Sequence, residues 1–220
     1  GRFLGCYGVA TVRTPNLDRF AQTAVRFTHA FSTSAICSPS RAALFTGRYP
    51  HCTGVLGLVG ASHGWELHPA EQHLGQILSA AGYCCEAVGE IHETALDASR
   101  CGFVRHEKPK RAAQAGEAAA ARLTELARGE RPFYLQAGCY EPHRMTGVPD
   151  ADQTFLGPDL KPDDALGVTI PGYLKDTPGT RAELAELQGA VAEMDRFVGR
   201  ILRALADHQL EDRTVVIFTT

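Results

Sequence analysis

Composition gives this sequence little that would fix its class. Its 220 residues carry 22 Lys and Arg against 25 Asp and Glu, a formal net charge of −3. No global field therefore points to nucleic acid or to an anionic membrane as a partner. Basic residues run together only at Lys108, Lys110 and Arg111, which read as a solvated loop. No apolar run approaches the roughly 20 residues of a membrane span, and the first residues lack the pattern of an export signal. Seven cysteines (Cys6, Cys37, Cys52, Cys84, Cys85, Cys101 and Cys139) include no C-x-x-C pair. A zinc site and a disulfide framework are both unexpected on that count and at this length. Cys84 and Cys85 lie in an apolar run and read as core filling. The opening "GRFLGCYG" has no methionine, and the closing "RTVVIFTT" reads as a core strand with nothing after it. Both ends look cut, so the chain is expected to be an internal piece of a longer protein.

What is present alternates between helical and strand periodicity. "TPNLDRFAQT" reads as a helix capped by Thr14 and opened by Pro15, with Leu17, Phe20 and Ala21 on one face. "VRFTHAF" alternates as a half-buried strand. "SPSRAALFTG" reads as a short helix capped by Ser38, opened by Pro39 and stopped by Gly47. "AEQHLGQILSAAG" is an amphipathic helix with Leu74, Ile77 and Leu78 inward, and "YCCEAVG" is the strand after it. Residues 90–110 are irregular. "RAAQAGEAAAARLTELARG" is a strong helix by propensity, and "RPFYLQAGCYEPHR" is a strand running into a polar turn. Residues 145–180 form a long loop rich in Pro, Gly and Asp. A long helix follows, striped by Leu184, Leu187, Val191, Met194, Val198, Ile201 and Leu205, and "RTVVIFTT" is the last strand. This order predicts an α/β sandwich with a mostly parallel central sheet flanked by helices. Sites in such sheets gather beyond the carboxyl ends of strands. Three polar turns fall there, and they carry Cys37, His92 and His143.

Cys37 directly precedes a helix start, where backbone N–H groups stabilise an anion and favour a thiolate. Arg41 lies about one turn on, so its guanidinium can return to the same end. Spacing alone leaves three readings open: an inert thiol, a ligand, or a reactive group. The Cys-to-Arg spacing is too short for a cysteine phosphatase loop.

The block Cys37-Ser38-Pro39-Ser40-Arg41, followed by "AALFTGR", closely resembles the signature of the sulfatase family. The upstream "TPNLDRFAQTAVRFTHAFSTSAI" and the downstream "GRYPHCTGV" also resemble it, and the likeness extends over the whole chain. "RPFYLQAGCYEPHR" and "TPGTRAELAELQGAVAEMDRFVGRIL" look most like the N-sulfoglucosamine sulfohydrolase branch. The resemblance implies an alkaline-phosphatase-like fold, with residues 1–220 as part of an N-terminal catalytic domain truncated at both ends. It implies a hydrolase of sulfate esters or N-sulfate groups, in which a separate maturation enzyme (formylglycine-generating or anaerobic sulfatase-maturating) oxidises Cys37 to formylglycine. Cys37 would then be nucleophile and ligand of a divalent metal, usually Ca2+. Arg41 would hold the formylglycine, and His92 would help deprotonate its hydrate. His143, with Arg144 beside it, would contact the sulfate or protonate the leaving group. Substrates would be small-molecule or glycan sulfates. The family is often exported.

Two departures stand out. The family's G-K-x-H turn reads Gly89-Glu90-Ile91-His92 here. A carboxylate about 4 Å from a sulfate, in place of a lysine, costs on the order of several kcal/mol. The remaining metal carboxylates of the family are expected outside this sequence. Same-fold alternatives are a phosphonate or phosphate monoester hydrolase using the same group, and a non-catalytic binder of sulfated glycans. Elsewhere, His63 and His68 flank Trp65 and read as solvated or as lining a sugar pocket. Glu141 and Arg144 read as a local ion pair or as substrate contacts. Asp18, Asp195 and Arg196 read as solvated or salt-bridged, and Asp163 and Asp164 carry no calcium-loop spacing.

Overall fold

The computed structural model describes residues 3–148, 151–155, 157 and 160–220; the side chains of 146–148 and 151–153 are outside the description. The predicted loop 145–180 lies partly outside these residues. In chain order the helices and strands are α1 (Pro15–Thr23), α2 (Cys37–Thr46), α3 (Pro50–Thr53), α4 (Leu74–Ala80), β1 (Cys84–Gly89), β2 (Arg105–Glu107), α5 (Ala112–Leu126), β3 (Phe133–Gly138), β4 (Met145–Val148), β5 (Ala151–Thr154) and α6 (Pro178–Asp207). They fall into two compact units. One comprises Gly1–Arg26, Lys110–Ala127 and Cys139–Thr220, the other Phe27–Pro109 and Arg128–Gly138.

The second unit holds a parallel three-stranded sheet in the order β2-β1-β3. β1 is central and buried from Cys85 onward, as expected for a strand covered on both faces. Its register pairs Glu86 with Arg105 on one side and with Leu135 on the other. Cys85 and Ala87 pack into a core with Ala42, Val55, Leu67, Cys101 and Phe103. Gly89 ends β1 at φ 81°, and a Cβ there would lie 1.7 Å from the Gly138 carbonyl oxygen. Only glycine fits, and it releases the chain into the turn that carries His92.

Here the helix faces differ from the sequence pattern. α2 begins at Cys37, two residues earlier than predicted, with Ile36 as N-cap and no side-chain cap bond. Ser38 lies inside the helix, buried, and its hydroxyl accepts from Val59 N at 3.2 Å. Gly47 closes the helix at φ 69° as expected. In α4 the buried N-cap is His73, whose Nδ1 accepts from Gly75 N at 3.0 Å. Packing of His73 and Gly75 turns the helix so that Leu74 and Ile77 are exposed rather than inward, while Leu78 is partly buried.

The first unit is built on α5 and α6. Ala112, Ala115, Ala119 and Leu123 of α5 are buried, as are Val191, Met194, Phe197 and Val198 of α6. Gly116 allows close approach, since a Cβ there would sit 3.4 Å from the Phe197 Cα. Thr177 caps α6 by accepting from Thr180 N at 3.1 Å, with Pro178 at the first position. Thr177→Ala is expected to cost about 1 kcal/mol in urea unfolding.

Asp195 corrects a sequence reading. It is buried at 1% exposure and accepts from Leu17 N (2.8 Å), Asn16 N (3.2 Å) and Asn16 Nδ2 (2.7 Å). The orphan donors of the α1 N-terminus are thus satisfied by a carboxylate from α6. Thr14, the expected cap, instead accepts from Gly5 N and donates to Asp18. Asp195→Ala should cost about 2 kcal/mol and Asp195→Asn less, read as a shift in the unfolding midpoint. Arg111 is not a solvated loop residue, for it pairs with buried Glu141 at 2.9 Å.

Two predicted strands are absent. Residues 25–31 form no strand, with Val25, Phe27 and Phe31 exposed. Residues 214–220 form none either, Val215 and Ile217 being 88% and 82% exposed. Alternation supplies a strand-like pattern, but a strand exists only with a neighbour to complete its ladder. Neither segment enters either sheet formed by the described residues. Within the predicted loop, β4 and β5 pair in antiparallel fashion. β2 forms within the stretch read as irregular. No helix among the described residues is long and apolar enough to cross a membrane.

Candidate functional site

The second unit brings Cys37, Arg41 and His92 together. Cys37 opens α2, after Ile36 at φ −104° and ψ 137°. The first N–H groups of the helix lie at this end. The turn after β1 places His92 Nδ1 3.2 Å from Cys37 Sγ. Cys37 does not follow a strand as predicted, because residues 27–31 are not one. The helix start alone sets its position.

Arg41 lies one turn beyond Cys37 on α2, on the same face. Its Nε donates to Glu93 Oε2 at 2.9 Å and its Nη2 to the Glu90 carbonyl at 2.7 Å. The guanidinium also sits 5.9 Å from the Phe45 ring centroid. Both ends of the Glu90–Glu93 turn are therefore tied to α2.

Glu93 is fully buried. Besides Arg41, it accepts from His92 N at 2.9 Å and from Gln136 Nε2 at 2.7 Å, and His73 Nε2 lies 3.4 Å from Oε1. His73 Nδ1 is occupied as an acceptor, so Nε2 carries the proton and faces the carboxylate. At 3.4 Å this is a long contact, consistent with a nitrogen that meets no strict hydrogen-bond geometry. Burial opposes ionisation of Glu93, but His73, Arg41 and Gln136 outweigh it and hold the carboxyl down to about 2. Sequence reasoning missed Glu93, His73 and Gln136. The one available signal was a glutamate directly after His92.

His143 and Arg144 lie in the first unit. His143 is exposed, its Nδ1 2.6 Å from the Arg144 carbonyl and its ring 5.5 Å from that of Tyr140. Glu141 does not pair with Arg144. It is buried, accepts from Ala112 N at 2.7 Å at the start of α5, and pairs with Arg111. Arg144 pairs with Glu183 and lies 4.7 Å from the Phe155 ring centroid. The "EPHR" turn is thus fixed by a carboxylate on a helix N-terminus, leaving the imidazole exposed.

A metal set with oxygen donors is not assembled by the described residues. Their one convergent cluster, His73, Glu93 and Cys101, has ligand atoms within 4.8 Å of one another. An imidazole, a thiol and one carboxylate do not suit calcium, which takes 6–8 oxygen ligands. A cavity of about 790 Å³ in the same unit is lined by His63, Trp65, Glu66, His68 and Arg100. His63 stacks on Trp65 with ring centroids 6.2 Å apart, and Arg100 is held by the His68 and Glu71 carbonyls.

The Sulfatase family profile matches residues 1–220. Human N-sulphoglucosamine sulphohydrolase is 31% identical over 236 aligned positions, which cover 98% of this chain and 47% of that protein. Among solved structures, yidJ from Bacteroides fragilis superposes with a TM-score of 0.72 at 23% identity, over 96% of this chain and 57% of its own. The phosphonate monoester hydrolase of Agrobacterium radiobacter gives 0.68 at 20% identity, over 96% and 58%. The chain spans about half the length of the relatives it matches. Its parallel sheet flanked by helices is the alkaline-phosphatase-like α/β architecture, and the chain belongs to the sulfatase family.

Proposed function

We propose that this chain carries the reacting side chains of a hydrolase that cleaves sulfate esters or N-sulfate groups. The observation that supports it most is Cys37 at the first turn of α2, with Sγ 3.2 Å from His92 Nδ1 and Arg41 one turn on. Cys37 is half-buried and faces an imidazole, which suits a side chain that must be reached by a maturation enzyme and then deprotonated. Converted to formylglycine, it supplies a hydrated aldehyde: one hydroxyl takes the sulfuryl group and the other expels sulfate. In this chain His92 accepts the hydroxyl proton, since an imidazole titrates near neutrality. Arg41 offers positive charge at the same helix end. His143 and Arg144 are assigned to the substrate side, His143 as sulfate contact or leaving-group acid.

The family implies a divalent metal, and calcium is the expected ion. The donors at Cys37 do not complete a calcium shell, so no step is assigned to it here. The Glu90 backbone carbonyl accepts from Arg41, so the turn that carries a lysine in the family is fixed by its main chain. The substrate is proposed to be a small-molecule or glycan sulfate, and the maturation enzyme a transient partner.

Co-expression with a formylglycine-forming enzyme, followed by peptide mass at position 37, tests the reading. Conversion to the aldehyde is expected, and an unmodified thiol would sink the catalytic assignment. The likeness to a phosphonate monoester hydrolase favours one second reading. Rates on a sulfate and a phosphonate ester of the same leaving group separate the two, with the sulfate ester expected to be faster.

A further inference from the structure

Arg41 and His92 reach Cys37 from different elements, one from α2 and one from the turn after β1. Something must hold those elements in register to a few tenths of an ångström if the three groups are to act together. Glu93 is the group that touches both. Its Oε2 accepts from Arg41 Nε and from His92 N, each at 2.9 Å. Its Oε1 accepts from Gln136 Nε2 on β3 and faces His73 Nε2 at the cap of α4.

An ionised carboxylate has about four acceptor positions. Three hydrogen bonds, from Arg41, the His92 backbone and Gln136, take three of them, and His73 Nε2 faces the carboxylate from a fourth element at 3.4 Å. That count decides between two roles for the buried His73, Glu93 and Cys101 cluster. A cation there would need a carboxylate lone pair, and each already faces an N–H. It would also sit beside the Arg41 guanidinium, whose charge repels it. Full burial of His73 and Glu93 further removes the water that a small ion would bring.

We propose that Glu93 is the positioning residue of this site, a buried carboxylate that fixes the Arg41 guanidinium and the His92 backbone relative to Cys37. This rests on the proposed roles of Cys37, Arg41 and His92, but it concerns geometry that the thiol form already displays. Glu93 does not touch the reacting atoms. It acts by removing alternative rotamers of Arg41 and alternative paths of the 90–93 turn.

The test uses protein made without a maturation enzyme, so that Cys37 remains a thiol. Iodoacetamide alkylation of the Cys37 peptide is followed by mass against pH. A thiolate shared with an imidazole reacts faster near neutrality than an ordinary thiol. His92→Ala is expected to slow alkylation at pH 7 by about fivefold or more. Glu93→Gln should produce a loss of similar size, and the double variant should add less than about twofold. Glu93→Asp keeps the charge but cannot reach both partners, and should fall between. It serves the same comparison if Glu93→Gln does not fold. A folded Glu93 variant with the parental pH profile at Cys37, and only a lower melting point, overturns the proposal. So does tight zinc uptake by the parent that Cys101→Ala abolishes. In the matured full-length protein, Glu93→Gln should lower kcat about tenfold with KM within about twofold. A protein whose Cys37 never matures defeats the sulfatase reading while leaving the alkylation result to judge Glu93.

Discussion

Cys37→Ala is expected to remove turnover from the matured full-length protein by a factor on the order of 10⁴ or more, with stability changed by less than about 0.5 kcal/mol. The two halves of this expectation come from different observations. Cys37 is half-buried at the N-terminal turn of α2, outside the apolar core formed by Ala42, Cys85, Ala87 and Cys101. Deleting its sulfur leaves no large cavity and exposes no buried donor. The chemistry, by contrast, depends on the side chain that stands 3.2 Å from His92 Nδ1. Cys37→Ser sharpens the expectation. Serine offers one hydroxyl and no hydrate, so it can accept a sulfuryl group but lacks the second hydroxyl that expels it. At most one transfer per molecule should occur, and the position 37 peptide should carry the mass of a sulfate ester. Continued turnover in either variant, measured with a chromogenic sulfate ester, would remove Cys37 from the mechanism.

The extent to which the sequence disclosed this site follows from the range of the forces involved. The Cys37–Arg41 block was legible because its residues are neighbours on one helical turn, where spacing along the chain is spacing in space. The same holds for the apolar stripes of α5 and α6 and for the Thr177 cap of α6, which are local. β1 was legible because it is buried on both faces and reads as a short apolar run, and β3 because its first residues do the same while staying partly buried. The other two strand-like segments, 25–31 and 214–220, show the limit. Alternation describes a side-chain pattern, whereas a strand is a property of a pair. Leu74 and Ile77 show another limit. A seven-residue helix takes its orientation from its cap, and the packing of His73 against Phe45 and Phe103 outweighed two exposed apolar side chains.

Buried polar groups were the least legible. In sequence, Asp195 reads as solvated or salt-bridged, Glu141 as a local ion pair or substrate contact, and Glu93 stands out in no way. Each is buried because it satisfies backbone N–H groups of a distant segment: α1 for Asp195, α5 for Glu141, and the His92 turn for Glu93. Nothing local marks a carboxylate that will be used this way, since its partners lie tens to well over a hundred residues off for two of the three. Only for Glu93 did a neighbour, His92, give a hint, and the hint pointed to the turn rather than to the donors from α2, β3 and α4.

Acid should expose the role of Glu93 in stability as well as in geometry. Its carboxyl is held at about 2, against an ordinary value of 4.5. A carboxyl depressed on folding binds fewer protons in the folded state than in the unfolded one. Its contribution is therefore complete above the unfolded value and is lost as pH falls from about 4.5 toward about 2. The size follows from 4.5 − 2 = 2.5 pH units, roughly 3 kcal/mol at full ionisation. Because Glu93 is fully buried, solvent screens little of this. Other carboxylates also titrate in this range, so the informative quantity is a difference. Urea midpoints of the parent and of Glu93→Gln, measured from pH 6 to pH 2.5, should differ most at pH 6 and converge as the pH falls. Glutamine cannot titrate, and its amide presents an N–H to a donor on one side or the other, so the variant starts destabilised and loses less with acid. A constant difference across the range would mean that the Glu93 carboxylate is not preferentially ionised in the folded protein, and the charge-assisted hold on Arg41 would go with it. The same field pushes its neighbours the other way. Burial first, and Glu93 second, raise the Cys101 thiol to about 12 and push the Tyr134 hydroxyl well above its ordinary range. Both stay neutral throughout the experiment, leaving Arg41 and His73 as the charged or chargeable partners whose loss of contact the convergence would report.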